Sequence, residues 1–457
     1  MRTKTVLRSM SATLLIFSFL LIASLPLQAK SLDPVPDVTN AKAVYLYNFE
    51  SDRAIVHKNT LERIAPASTV KMASGLLFIE LLSNRLDETV TLRADMLIAK
   101  GGASLGLRVD DRLSVRDLLY ASICGGYNDA TEALAVLCGG TRDHFLAQLN
   151  DRIAAWGCTD THYTNPTGMD ESGMYTTLAD VSKIATQAIQ SSLYMTISSA
   201  ISYSFTLHRT DAAKTMPIYN RNALISPYYY QGCQSKYAKG LLAGMTDLGG
   251  HCVATYAEYA GSRYLCIVMG AIGTSQDTPN SFSIAYNLLQ YAYLNCVYVP
   301  VAIAGTEMEQ IPVELALPQD KEGIATVSCV LEHDLYALLP EGTVEKDLTF
   351  RSYFHKDVLN APVSAGDIVG GTDVYYGDTW ICHARLIAAE DIEVNNMLLA
   401  LHRLKGALLS RTAIISLSVF ALLLGIYLFC LHRRKNAPVM LDFRTQSHKK
   451  SPSPPLR

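Results

Sequence analysis

Ser68 and Lys71, in the run Pro66-Ala-Ser-Thr-Val-Lys-Met72, are the two residues whose types and spacing could do chemistry. On a helix, positions three apart lie on one face, one turn from each other, so a hydroxyl and an amine so spaced can meet. An amine held near other cations and away from water loses its proton readily and can take one from the serine, which makes a nucleophile for acyl transfer. The same spacing recurs at Ser447-His-Lys-Lys450 in a basic tail, with no context around it. A serine before a helix is also a common N-cap. Spacing alone leaves both roles open for Ser68.

The elements that must position this pair read as a mixed α and β pattern. Residues 43–49 and 53–57 look like two strands around a turn. From Pro66 to about Asn295 the pattern is mainly helical, with apolar runs at 71–82 and 118–137 and a one-sided apolar face at 145–156. Strand-like runs return at 253–259 and 264–269. An early strand pair, helices in the middle and strands late predict one sheet with helices packed over it. Near Cys296 the composition shifts to short β-rich runs such as 325–331 and 375–388, which predict a small separate β-sandwich.

The ends carry apolar segments. Arg2, Lys4 and Arg8 precede an apolar run over 12–25, and Leu27-Gln-Ala29 follows as a cleavage site, so 1–29 reads as a secretory signal peptide. Thr412 to Leu431 holds no charge and is about the 20 residues a bilayer crossing needs. Basic residues Arg433, Arg434 and Lys435 follow it and favour the cytoplasmic side. The expected order is signal peptide 1–29, linker 30–42, hydrolase domain 43–295, β-rich stalk domain 296–393, amphipathic helix 394–410, transmembrane helix 411–432 and basic cytoplasmic tail 433–457. The expected location is the cell membrane, single-pass, with the large domain outside the cytoplasm.

Composition narrows the chemistry. The chain has 457 residues and a net charge of −3, and so lacks the basic surplus of a nucleic-acid binder. Ten cysteines form no C-x-x-C pair, and eleven histidines form no H-E-x-x-H or H-x-x-x-H pair. Neither a metal nor a cofactor is therefore expected. Gly139-Gly140 and Gly249-Gly250 read as turns, His251 as a surface histidine with a donor role as its alternative, and Tyr228-Tyr-Tyr230 as a packed or loop aromatic cluster with sugar stacking as its alternative.

Glu62-Arg-Ile-Ala-Pro-Ala-Ser-Thr-Val-Lys71 resembles the nucleophile region of the D-alanyl-D-alanine carboxypeptidases, the low-molecular-weight penicillin-binding proteins of serine peptidase family S11. The likeness continues in order through Gly102-Ala-Ser-Leu-Gly106, Ser114 to Tyr120, Asn128-Asp-Ala130, Asp160 to Gly168, Tyr175-Thr-Thr177 and the pair Asn222 and Leu224. It reaches Ala361 to Gly366 and Ala388 to Glu393 in the β-rich part. The resemblance implies an α/β (α+β) fold of the β-lactamase and penicillin-binding-protein type, an antiparallel sheet with covering helices. It implies Ser68 as nucleophile, Lys71 as base and Asn128 as the holder of Lys71 and of the substrate amide. It also implies a substrate-binding strand through Leu242, Gly244, Met245 and Thr246.

Two motifs depart from the family pattern. Gly126-Tyr127-Asn128 lacks the serine of Ser-x-Asn, and Leu242-Ala243-Gly244 replaces Lys-Thr-Gly. Lys239 is the nearest cation, but three residues along a strand puts it on the other face. A hydrogen bond to a charged group is worth about 1.5–3 kcal/mol, so the lost lysine alone costs roughly ten- to a hundredfold in rate. The oxyanion hole, made of backbone N–H groups such as those of Ser68 and Met245, would survive. Two functions follow from the likeness. One is a serine-type carboxypeptidase that trims terminal D-alanine from peptidoglycan stem peptides and accepts β-lactams as acylating ligands. The other is a non-catalytic relative that binds peptidoglycan or scaffolds cell-wall enzymes. Ser68, Lys71 and Asn128 favour the first, and Gly126, Leu242 and Ala243 the second.

Overall fold

A computed structural model of the chain describes residues 32–98, 101–210, 212–275, 278–317 and 325–435. The expected signal peptide, residues 1–29, and most of the expected cytoplasmic tail lie outside the described residues. The chain divides into two compact units. One comprises residues up to Thr306 together with Leu331–Tyr353 and Gly370–Arg385; the other comprises Glu307–Val330, Phe354–Val369 and the chain from Leu386.

The first unit is organised by a five-stranded antiparallel sheet. Its strands run in the order Arg53–Lys58, Ala43–Asn48, Ser262–Ala271, Gly250–Tyr259, Ala238–Thr246. Strand Ser262–Ala271 shows why it reads as one continuous apolar run. Leu265, Ile267 and Met269 enter a core shared with the helices, while Tyr264, Cys266 and Val268 enter a second core under helix Asn280–Asn295. Strand side chains alternate between faces, so a strand covered on both sides must be apolar at every position.

The helical layer holds the first core. Helix Val70–Leu82 is central: Met72, Leu76, Phe78 and Leu82 are buried, and Phe78 stacks on Phe145 of helix Arg142–Ala155 with ring centroids 4.9 Å apart. The apolar run at 118–137 is not one helix. It forms Val115–Ile123 and Asn128–Gly139, separated by Cys124 to Tyr127, where Gly126 sits at φ +67°. That break presents Asn128 at the start of a helix instead of in its middle. A smaller sheet of Thr89–Thr91, Arg112–Ser114, Ser202–His208 and Ala213–Tyr219 lies in the region that reads as helical by periodicity. Ser202–His208 buries only Phe205 and Leu207, with exposed Thr206 between them, so its apolar signal is weak.

The residues from 296 to 393 are shared between the two units. In the first, Val297–Ala302 pairs with Leu335–Leu339, burying Val301, Ala337 and Leu339. In the second, Glu307–Glu314 pairs with Ala325–Leu331, and Ala325, Val327 and Cys329 are buried at alternate positions. Together these strands make the C-terminal part β-rich. Helix Asn396–Leu408 follows, capped by Asn395, whose Oδ1 accepts from the N–H groups of Met397 and Leu398. Leu401, Leu404 and Leu408 on it are exposed. In the last helix, Arg411–Lys435, the 22 residues Arg411–His432 are long and apolar enough to cross a membrane. All ten cysteines are free.

Candidate active site

Ser68 lies in a short 3-10 turn, Ala67–Thr69, that leads directly into helix Val70–Leu82. The turn is pinned from within, since Thr69 donates to the Pro66 carbonyl through both N–H (3.2 Å) and Oγ1 (2.6 Å). Ala67 is fully buried at φ +48°, a backbone state that costs a non-glycine residue on the order of 1 kcal/mol or more and persists only where the surroundings hold it. The helix therefore starts with its geometry already set, and Ser68 does not cap it. No side-chain cap bond is present at Pro66 or Thr69.

One turn on, Lys71 is 2% exposed, and its Nζ lies 3.4 Å from Ser68 Oγ and 2.8 Å from the carbonyl oxygen of Thr167. Burial, and next the nearby positive charge of Arg221, draw the amine down to about 7, against the opposing pull of Glu132. At that value a large share of the amine is neutral at physiological pH. A neutral Nζ donates to Thr167 and keeps its lone pair for the serine proton. The 3.4 Å separation is long for transfer, as in many unliganded sites, where such contacts tighten only around a substrate. The Glu132 carboxyl is itself pushed up by burial, with Arg142 beside it (3.3 Å) opposing the shift.

Asn128 is 3% exposed and clamped by the segment opposite, with its N–H bonded to Ala103 O (2.7 Å) and its Nδ2 to Gly101 O (3.0 Å). The neighbouring Asp129 fixes that segment by accepting from Leu105, Gly106 and Leu107 N–H groups. The amide of Asn128 is thus engaged by Gly101 and the amine of Lys71 by Thr167.

The facing wall is the edge strand Ala238–Thr246. Gly244 meets Ser68 so closely that a Cβ on it would lie 2.3 Å from both Ser68 Cβ and Oγ. Only glycine allows this approach. Ala243, Gly244 and Met245 line a cavity of about 420 Å³ together with Ser68, Lys71 and Asn128. Two of the strand residues expected at the site point elsewhere. Leu242, 4% exposed, packs into the helical core. Thr246 donates from Oγ1 to Asp170 (2.7 Å), which also receives the Leu248 N–H (2.8 Å). Asp170 so ties the strand end to the segment whose Thr167 holds Lys71. Lys239 pairs with Glu258 on the surface.

Several residues at this cavity escape a reading by motif. Arg221 lines it, as do Tyr229 and His251, whose imidazole is lowered by burial and so favours the neutral form. The signal for Arg221 was faint: an arginine between Asn220 and Asn222, both buried. Thr167 contributes only a backbone carbonyl, and the sequence marks it only as part of the run Asp160 to Gly168, not as a partner of Lys71.

This fold is shared with solved penicillin-binding proteins. The structure superposes with a TM-score of 0.58 on the D-alanyl-D-alanine carboxypeptidase DacD from Francisella tularensis, at 22% identity over 80% of this chain and 98% of that one. Penicillin binding protein 5 from Haemophilus influenzae follows at a TM-score of 0.53, with 22% identity over 79% of this chain and 100% of that one. The class is accordingly the penicillin-binding-protein fold. At the level of sequence, the family model for D-alanyl-D-alanine carboxypeptidases, peptidase S11, matches residues 30–273, and that for the penicillin-binding protein 5 C-terminal domain matches 304–394. The chain belongs to the S11 family of D-alanyl-D-alanine carboxypeptidases. It is similar to D-alanyl-D-alanine carboxypeptidase DacF of Bacillus subtilis, 22% identical over 80% of this chain and 89% of that protein. It is also similar to DacD of Salmonella typhimurium, 24% identical over 84% of this chain and 94% of that protein.

Proposed function

We propose that the chain is a membrane-anchored serine-type D-alanyl-D-alanine carboxypeptidase acting on peptidoglycan stem peptides. Ser68 Oγ attacks the carbonyl of the penultimate residue while Lys71 Nζ takes its proton. The C–N bond then breaks, the proton passes to the leaving amine, and D-alanine departs. Water hydrolyses the resulting ester and restores Ser68. The negative oxygen formed on attack sits against the backbone N–H groups of Ser68 and Met245. Asn128 holds the substrate amide. β-Lactams present the same carbonyl to the same serine and act as acylating ligands.

One observation carries this reading: the amine of Lys71, drawn down to about 7, lies one helical turn from Ser68 at the wall of an open cavity. In this reading residues 43–295 form the catalytic domain and 296–393 the stalk. Residues 411–432 span the membrane, with 433–457 on the cytoplasmic side and the catalytic domain outside. The second reading, a relative that binds peptidoglycan without turnover, draws on Gly126, Leu242 and Ala243, which remove two hydroxyls and a cation. Full-length protein in detergent is to be incubated with a labelled penicillin and with a pentapeptide ending in D-Ala-D-Ala. Label retained on the protein and free D-alanine are expected, and Ser68→Ala is expected to abolish both. If the wild-type protein yields neither product, the binding role is the correct one.

A further inference from the structure

We propose that Glu132, held by Arg142, is a positioning residue behind the serine–lysine pair, with a carboxylate that offsets the positive charge Lys71 gains on taking the Ser68 proton. This role rests on Lys71 being the base for Ser68. Glu132 follows Asn128 by one turn on helix Asn128–Gly139, and residues four apart share a helix face. Asn128 lines the cavity beside Lys71, whereas Glu132 is 4% exposed and lies away from the opening. Its carboxylate is poorly satisfied for a buried charge. Among the described residues it accepts one hydrogen bond, from Arg142 Nε at 3.3 Å, longer than the roughly 2.7–2.9 Å of a strong charge-assisted bond. A core ion pair without further hydrogen bonds on its free oxygens contributes little to stability, because desolvation offsets the attraction. The charge of Glu132 is therefore left to act on its neighbours.

Arg142 also connects this charge to the segment that holds the amine. It lies 3.9 Å from Glu171, whose Oε2 accepts from Asn165 Nδ2 (2.9 Å) and Thr164 Oγ1 (3.1 Å). Asn165 Oδ1 accepts in turn from the N–H groups of Thr167 (3.2 Å) and Gly168 (2.7 Å). One arginine thus braces both the carboxylate and the segment whose Thr167 carbonyl receives the Lys71 N–H. When Ser68 gives up its proton, the O–H bond breaks, an N–H bond forms on Lys71 Nζ, and an ammonium appears where water is excluded. Burial and Arg221 oppose that charge, and Glu132 favours it. Of the other groups at the amine and its cavity, Ser68, Asn128 and Thr167 are uncharged, and burial favours the neutral form of His251. At Glu132, burial favours the neutral acid, Arg142 and Lys71 favour the carboxylate, and Glu171 opposes them. Asp129 on the same helix is engaged by the N–H groups of residues 105–107. A base backed by a third group that favours its protonated form follows the logic of a catalytic triad.

The test is the pH profile of Ser68 acylation by a labelled penicillin, followed in single turnover on the full chain in detergent. Glu132→Gln keeps the shape and removes the charge, so the midpoint, about 7 in the unaltered protein, is expected to fall by about one unit. The rate at high pH is expected to fall roughly threefold, because a weaker base takes the proton less readily. Glu132→Asp, which keeps the charge on a shorter side chain, is expected to restore part of both. A purely structural role would slow acylation without moving the midpoint, so an unmoved or raised midpoint in Glu132→Gln overturns the proposal. Glu132→Met serves the same comparison where the amide variant does not fold, since its apolar chain fills the buried space. If the wild-type protein is not acylated, the reading of Ser68 fails instead. The Cε resonance of Lys71, identified by its loss in Lys71→Met, is then titrated by NMR in the wild-type and Glu132→Gln proteins. A midpoint lowered by Glu132→Gln supports the pairing, and an unchanged one overturns it.

Discussion

The two walls of the cleft differ in kind. On the helix side, Ser68, Lys71 and Asn128 are present, buried or clamped, and linked to structure behind them through Thr167, Gly101 and Ala103. On the strand side, the backbone keeps its path close enough to Ser68 to demand a glycine, yet its side chains at 243–245 carry no charge and no hydroxyl. Activating the nucleophile depends on burial and one-turn spacing, which the core supplies. Gripping the substrate depends on polar tips at the cavity surface, which can be exchanged without disturbing the core. The contrast shows that the polar side chains lining a cleft can be exchanged while a buried lysine keeps its one-turn geometry to the serine beside it.

Removing the base tests the helix wall most severely. Lys71→Met is expected to lower acylation by about a thousandfold, within the range set by a general base. In the unaltered protein the acylation rate is expected to rise with pH around a midpoint of about 7, where the amine becomes neutral. The unfolded chain keeps that proton up to the ordinary lysine value of 10.5, so it binds more protons than the fold above about 7. Stability is therefore expected to rise with pH across that window, and a midpoint near the ordinary lysine value would show that the amine is not buried as described. Gly244→Ala attacks the point where the walls meet. Its methyl would overlap Ser68 at 2.3 Å, and displacing a reacting group by about 1 Å costs about a hundredfold. Labelling by penicillin reads the loss, and unchanged labelling would mean that the strand yields. Ala243→Thr restores one hydroxyl to the strand wall, and is expected to raise acylation by a carboxylate-ended peptide up to about tenfold. No gain would show that the hydroxyl does not reach the substrate.

Much of this architecture was legible because covered elements leave strong patterns. Helix Val70–Leu82 and strand Ser262–Ala271 are mostly apolar, and both are read to within two residues of their ends. The helix break at Cys124 to Tyr127 was obscured because apolar residues on both sides continue the period, and only Gly125-Gly126 marks it. Strands Ser202–His208 and Ala213–Tyr219 were lost among helices because their exposed faces carry mixed residues. At the site, Ser68, Lys71, Asn128 and Gly244 carry their spacing in the chain. Leu242 holds the expected place in the motif, but its side chain turns inward to the helical core.

What the sequence determined by itself is whatever short-range geometry controls: the one-turn spacing of Ser68 and Lys71, the alternation that buries both faces of a strand, and the charge-free run near the C-terminal end. What only the tertiary structure decided is the environment of those groups. The amine of Lys71 is drawn down to about 7 because folding buries it and brings Arg221 close, against the opposing pull of Glu132, while Thr167, nearly a hundred residues away, receives its N–H. A side chain's pKa depends on solvent exclusion and on charges brought close by folding. Neither quantity is a property of the neighbouring residues in the chain.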